Sequence, residues 1–420
     1  MKKIILTFLL LYALGMFLSL NMNSKYKVFT YKSTMWADAA GYYMYLPVSV
    51  IYQWNYDALP PGIDTLTGSG FYLLEDEKVV FTKYTSGISY LQLPFFLSTH
   101  AYAKLTKQKA DGFSKPYVNA MLFSGVFYML LGLFLLYFVL NSFFDKRASL
   151  FAVLGLVLCT NLYFYGIEHP GLSHVYSFFL GALLLFIINK YREKKLLIVI
   201  PLMALLVLIR PTNLLLVAML LVFYFNLVSW ADVKKIGAPK ILLSLALGFL
   251  VFVPQMFYWH YVSGNWITYS YKGEGFTNWN SPKILEVLFA PLNGFLTYAP
   301  IFILAFIGLF YKPINKIFTL GVLALFLLLI YVNASWWSWQ FGCAYGGRAF
   351  VDYYPFLAFG LAAFIQRNVF LNSKTKIVFA LMFLVFVTYN ILFIYGYDDC
   401  WYSTTWDYGY ILNVLRGELS

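Results

Sequence analysis

Apolar runs of about 17 to 25 residues recur along the whole chain, separated by short breaks rich in Lys and Arg. Such a run matches the length a helix needs to cross the hydrocarbon core of a bilayer. Transmembrane barrels instead show shorter segments of alternating polarity, and none occur here. Over 420 residues the hydrophobic fraction is 61%, the charged fraction only 11% and the mean hydropathy +0.71. A soluble domain carries about 25% charged residues, so the chain reads as an all-α polytopic membrane protein. In that setting the net charge of +12 reports topology and contact with anionic lipid, which argues against nucleic acid as a partner.

The best apolar spans are 4 to 21, 117 to 140, 148 to 165, 172 to 189, 196 to 209, 213 to 229, 241 to 261, 296 to 311, 317 to 334, 351 to 366 and 376 to 396, about 11 helices. The opening MKKIILTFLLLYALGMFLSL resembles a signal peptide, but the run is long and lacks a small-residue cleavage site. It therefore reads as an uncleaved first helix. The segment GISYLQLPFFLSTHAYA, 87 to 103, is apolar enough to insert yet contains a proline, a histidine and several polar groups. If it does not span, 16 of the 30 Lys and Arg fall in short loops on the cytoplasmic side; if it spans, the clusters after it move outside. The positive-inside rule favours the first arrangement, with 87 to 103 lying in or re-entering the outer interface.

The expected domain is thus a transmembrane unit over 1–396 with a large first outer loop, 22–116, and a short outer-side tail, 397–420. The N-terminus is expected to be cytoplasmic, in a plasma (inner) membrane. Nearly every unusual polar residue falls on the outer face. In WADAAGYYMYLP, residues 36 to 47, Asp38 opens an aromatic segment suited to lie on the bilayer. It is either a solvated helix-start acid or a carboxylate held at a cavity. Lys83 in KYTSG either snorkels to the surface or neutralises a phosphate.

Glu168, His169 and His174 in EHPGLSHV lack metal-ligand spacing, and hydrogen bonding to a polar substrate suits them better than a metal; Ser173 alternatively caps a helix. The apolar stretch 196 to 230 is too long for one span, so a tight hairpin with RPTN at its tip is expected, leaving Arg210 near the outer surface. Finally, NASWWSWQFGCAYGGRAFVDYYP joins a Trp-rich interface, a glycine pair, Arg348 and Asp352. It is read either as a phosphate and sugar site or as an aromatic belt carrying an Arg–Asp pair. Of Cys159, Cys343 and Cys400, the last two fall on one side, and a disulfide between them is open.

In order and content these segments resemble the GT-C superfamily of membrane glycosyltransferases, whose relatives include protein O-mannosyltransferases and aminoarabinose transferases. The resemblance runs from about 30 to 360: an acid in WADAAGYYMYLP, then KYTSGISYLQLPFFL, HPGLSHVYSFF, LNGFLTYAPIFIL and FGCAYGGRAFVDYYPFLAFG. The chain departs from the family in lacking a double proline after Lys83 and a clear D-x-D or E-x-D in the first loop. What the resemblance implies is a GT-C-like fold and transfer of a sugar from a polyprenyl-phosphate donor to a hydroxyl of a glycan, lipid or protein at the outer face, with inversion.

By the same resemblance Asp38 falls at the position of the catalytic base, and Lys83 and Arg348, with Arg210 beside them, at positions that contact the donor phosphate. The substrate cavity is expected to include Tyr42, Tyr43, His169, His174, Trp337 and Tyr345. No cofactor is required on this reading; a divalent metal is compatible with it but not indicated. The competing readings are a polysaccharide polymerase or ligase using lipid-linked glycans, a flippase or transporter, and a lipid-binding scaffold.

Overall fold

A computed structural model describes residues 2–271, 273–397 and 405–418. Within them the chain is helical almost throughout, as a chain surrounded by lipid must be if every backbone N–H and C=O is to find a partner. Among the described residues six helices are long and apolar enough to cross a bilayer: Lys3–Asn23, Lys115–Leu140, Ala238–Ser263, Lys316–Ser335, Arg348–Asn368 and Ser373–Gly396. A seventh arises if Pro211–Leu227 and Trp230–Ile236, bent by 100° against each other, count as one. The protein is an all-α, multi-pass membrane protein.

The remaining expected spans are also helical, but most are short: Lys146–Leu158, Ser173–Tyr191, Leu196–Ile209, Leu214–Leu227 and Phe302–Leu309. At 1.5 Å per residue a 14-residue helix reaches only about 21 Å, so all of these but Ser173–Tyr191, with 19 residues, fall short of a ~30 Å core unless their ends extend them.

Burial separates centre from periphery. The Arg348–Asn368 span is 89% buried, whereas Lys3–Asn23 is 11% and Ser373–Gly396 22% buried. The first is wrapped by protein and the other two present leucines and phenylalanines to lipid. Glycine sets the closest approach in the centre. A Cβ on Gly308 would lie 1.8 Å from the Gly360 carbonyl oxygen, and one on Gly360 2.1 Å from that of Ala305. The two helices therefore touch backbone to backbone, the packing that small residues permit in membranes.

The RPTN hairpin forms as the length argument requires, with a 3-10 turn at Pro211–Asn213 joining Leu196–Ile209 to Leu214–Leu227. Asn213 holds the tip through hydrogen bonds from Nδ2 to Leu206 O (3.0 Å) and Ser177 Oγ (2.8 Å). The segment 22–116, expected as the first outer loop, contains short helices, Asp38–Tyr43 and Tyr45–Val50, and the long Gly87–Leu105. It also contains an antiparallel ribbon, Tyr72–Leu74 with Val79–Phe81, paired Leu73 to Val80. In the tail, Gly409–Arg416 is helical. Cys343 is disulfide-bonded and Cys159 is a buried free thiol; Cys400, whose pairing with Cys343 the sequence leaves open, lies outside the described residues.

Candidate functional site

The site begins with a backbone constraint. Ala37 has φ +47°, unusual for a residue with a side chain, and Asp38 opens the following helix. Ala37 is fixed there because its N–H donates to Thr67 O at 2.8 Å and its carbonyl accepts from Gly41 at 3.0 Å. The same carbonyl is covered by Gly70, where a Cβ would come within 1.8 Å of it. Asp38 is thus aimed by the loop preceding the ribbon as well as by its own helix.

Its carboxylate meets two donors from distant parts of the chain. Arg348 Nη2 donates to Oδ2 at 3.0 Å, and the Tyr84 hydroxyl donates to Oδ1. Burial by itself raises the Asp38 pKa; the Arg348 charge, the Tyr84 hydrogen bond and the Lys83 charge together outweigh it and hold the carboxyl below the ordinary carboxylate range. Burial and then the Asp38 charge push the Tyr84 phenol well above its ordinary value, so it remains a donor. The Asp38 side chain is 32% exposed, and that exposure faces a cavity of about 670 Å³.

Arg348 is aimed by the glycines the sequence singles out. Gly346 takes φ +65°, its carbonyl accepts from the Arg348 N–H at 2.7 Å, and a Cβ there would meet Tyr298 Cβ at 2.8 Å. Tyr345 pins this turn from behind. Its carbonyl accepts from Asn161 Nδ2 (3.0 Å) and the Tyr165 hydroxyl (3.1 Å), while its own hydroxyl bonds to Asn390.

Lys83, Arg210 and Arg348 all line the large cavity with Asp38, as do Tyr42, His169, His174 and Trp337. Tyr43 and Tyr345, expected on its wall, do not: both are fully buried in packed core, Tyr43 donating from its hydroxyl to Gly112 O at 2.7 Å. The cations are not bare. Lys83 pairs with Glu274 and lies over the rings of Tyr84 and Tyr271, at 5.5 and 5.3 Å. Arg210 Nη1 sits 3.3 Å from Asp352 Oδ2, whose other oxygen bonds to His174 Nδ1 at 2.9 Å. Asp352 therefore serves Arg210, and Arg348 reaches instead to Asp38; the local Arg348–Asp352 pair does not form.

Asp352 is completely buried. Asp352→Asn removes the counter-charge of an arginine held largely inside protein, and the expected loss is about 3–5 kcal/mol of stability. The readout is thermal unfolding of the purified protein in detergent; a transition unchanged from wild type would contradict a stabilising role for this triad.

Three residues at the site carried no local signal in the sequence: Tyr84, Glu274 and Asn333. Tyr84 adjoins Lys83, but its partner lies 46 positions away; Glu274 is 191 positions from Lys83. Among the described residues no group of three or more His, Cys, Asp or Glu could hold a metal ion.

Fold and site together define a multi-pass helical membrane protein with a polar, ion-paired cavity beside a loop of short juxtamembrane helices. No protein-family profile and no curated protein matches the chain. Among solved structures it is similar to the archaeal oligosaccharyltransferase AglB from Archaeoglobus fulgidus, in complex with an inhibitory peptide and a dolichol-phosphate, at 14% identity and a TM-score of 0.44. The likeness covers 98% of this chain and 54% of that one, so the chain spans about half the length of that enzyme.

Proposed function

We propose that the chain is a membrane glycosyltransferase of the GT-C type, passing a sugar from a polyprenyl-phosphate donor to a hydroxyl acceptor at the outer face of the membrane. The observation that carries this reading is the single cavity wall shared by three cations, Lys83, Arg210 and Arg348, and two carboxylates, of which Glu274 is engaged by Lys83 and Asp38 is held by Arg348 and Tyr84. A base beside several cations suits displacement of a phosphate leaving group, and the order of the sequence segments agrees with it.

In the proposed step the acceptor oxygen attacks the anomeric carbon. The bond from that carbon to the donor phosphate oxygen breaks, and its electron pair leaves with the phosphate. The acceptor proton passes to Asp38. Arg348, Lys83 and Arg210 stabilise the charge that grows on the phosphate. With Asp38 acting as base and Glu274 tied to Lys83, no carboxylate is assigned as nucleophile, and the displacement on this reading is single and inverting.

Arg348 has a second effect. In the resting site its charge depresses the basicity of Asp38; a donor phosphate that shares the guanidinium weakens that hold and makes Asp38 a better base when the donor is present. Binding and base strength are then linked through one side chain.

Glu274 competes with the donor phosphate for Lys83. Glu274→Gln is expected to lower the donor KM several-fold, and Lys83→Met to raise it by about tenfold or more. Steady-state kinetics at varied donor concentration measure both, and a rise in donor KM for Glu274→Gln would contradict the competition.

The reading itself is tested by incubating purified protein with a polyprenyl-phosphate sugar and an acceptor panel of glycans, lipids and hydroxyl peptides. Release of polyprenyl phosphate coupled to glycosylated acceptor is the expected result. Consumption of diphosphate-linked glycans alone would indicate a polymerase or ligase, and passage of intact lipid-linked sugar across vesicles without transfer would indicate a flippase.

A further inference from the structure

Asn333 lies near the end of the Lys316–Ser335 helix, among residues chosen almost entirely for lipid and core. It is 3% exposed and lines the large cavity, and its Nδ2 has no hydrogen-bond partner. A buried amide donor left unmet is costly, and native proteins keep few such groups. The cavity wall around it is aromatic. Trp336 stands edge-on to Phe276 at 4.9 Å and to Tyr271 at 6.2 Å, and Trp337 follows it.

An unmet amide donor sealed just beneath a largely aromatic wall, which rotation about the Cβ–Cγ bond exchanges with Oδ1, describes a ligand with an apolar ring face and oxygens at its edge. A phosphate is drawn to the guanidinium and ammonium groups of the same cavity, where charge rewards it. A neutral amide beside aromatic faces suits a sugar ring, whose C–H face packs on the aromatics while one hydroxyl accepts from the amide. We propose that Asn333, with Trp336 and Tyr271, forms the subsite for the donor sugar, Asn333 Nδ2 donating to one ring hydroxyl. This assignment rests on the donor reading given above and identifies a residue that selects the sugar.

The test is binding of two lipids to wild type and Asn333→Leu: a short-chain polyprenyl phosphate carrying a hexose or pentose, and the same polyprenyl phosphate without sugar. Asn333→Leu is expected to weaken the sugar-bearing lipid by about 10- to 100-fold and to leave the sugar-free lipid unchanged. A residue that only supports the fold would weaken both equally, and that result overturns the assignment, as does unchanged binding of the sugar-bearing lipid. Wild type that binds neither lipid overturns the donor reading itself. The unliganded variant is expected to unfold at or above the wild-type temperature, because the substitution removes an unmet polar group. Should Asn333→Leu not yield folded protein, Asn333→Ala carries the same comparison.

Discussion

Asp38→Asn is expected to lower kcat for sugar transfer by about 10²- to 10⁴-fold, the range that a positioned base contributes, with the donor still bound. The substitution keeps the shape and an oxygen for the Tyr84 hydroxyl, so the wall of the cavity survives. What it removes is the proton acceptor and the counter-charge of Arg348. Arg348 is 16% exposed and faces the cavity, so the freed guanidinium gains access to solvent or to donor phosphate. Donor affinity is therefore expected to hold or rise while turnover falls. Single-turnover transfer together with donor titration separates the two, and near-normal transfer by the variant would remove Asp38 as the base.

Much of the fold follows from run length alone, because lipid leaves the backbone little choice. The hairpin at RPTN is the clearest case: a length too great for one span and short for two admits a tight turn and little else. Individual side-chain directions escape the sequence even where a helix is expected, as with Tyr43, expected on the cavity wall together with Tyr42. In the Asp38–Tyr43 helix, Tyr42 is four residues from Asp38 and shares its face, toward the cavity; Tyr43 is five away and turns into the core.

The same spacing misleads at the other end of the site. Arg348 and Asp352 are four apart, which in an α-helix would bring them together, but Arg348–Tyr353 is a 3-10 helix. With three residues per turn, positions four apart diverge by about 120°. Asp352 is delivered to Arg210 and His174, and Arg348 is left for Asp38, 310 positions away. Pairings of that separation, and that of Lys83 with Glu274, have no periodicity to announce them; only packing brings them together.

Arg348→Gln tests whether that long-range pair sets the chemistry. On the proposed mechanism the wild-type base is needed as carboxylate, so transfer is expected above the Asp38 pKa and lost as pH falls through it. Because Arg348, Tyr84 and Lys83 hold that pKa below the ordinary carboxylate range, the acid limb of kcat/KM is expected on the acid side of an ordinary carboxylate's. Removing the guanidinium leaves the opposing effect of burial in place, and the pKa rises. The acid limb then moves upward, because an adjacent opposite charge no longer favours the carboxylate. At pH 7 the variant is also expected to lose donor use more than acceptor use, since the cation proposed to face the phosphate is gone. Profiles of kcat/KM against pH for donor and acceptor measure both effects. A limb that stays in place would show that Arg348 does not govern the base, and a defect confined to acceptor KM would contradict its contact with the phosphate.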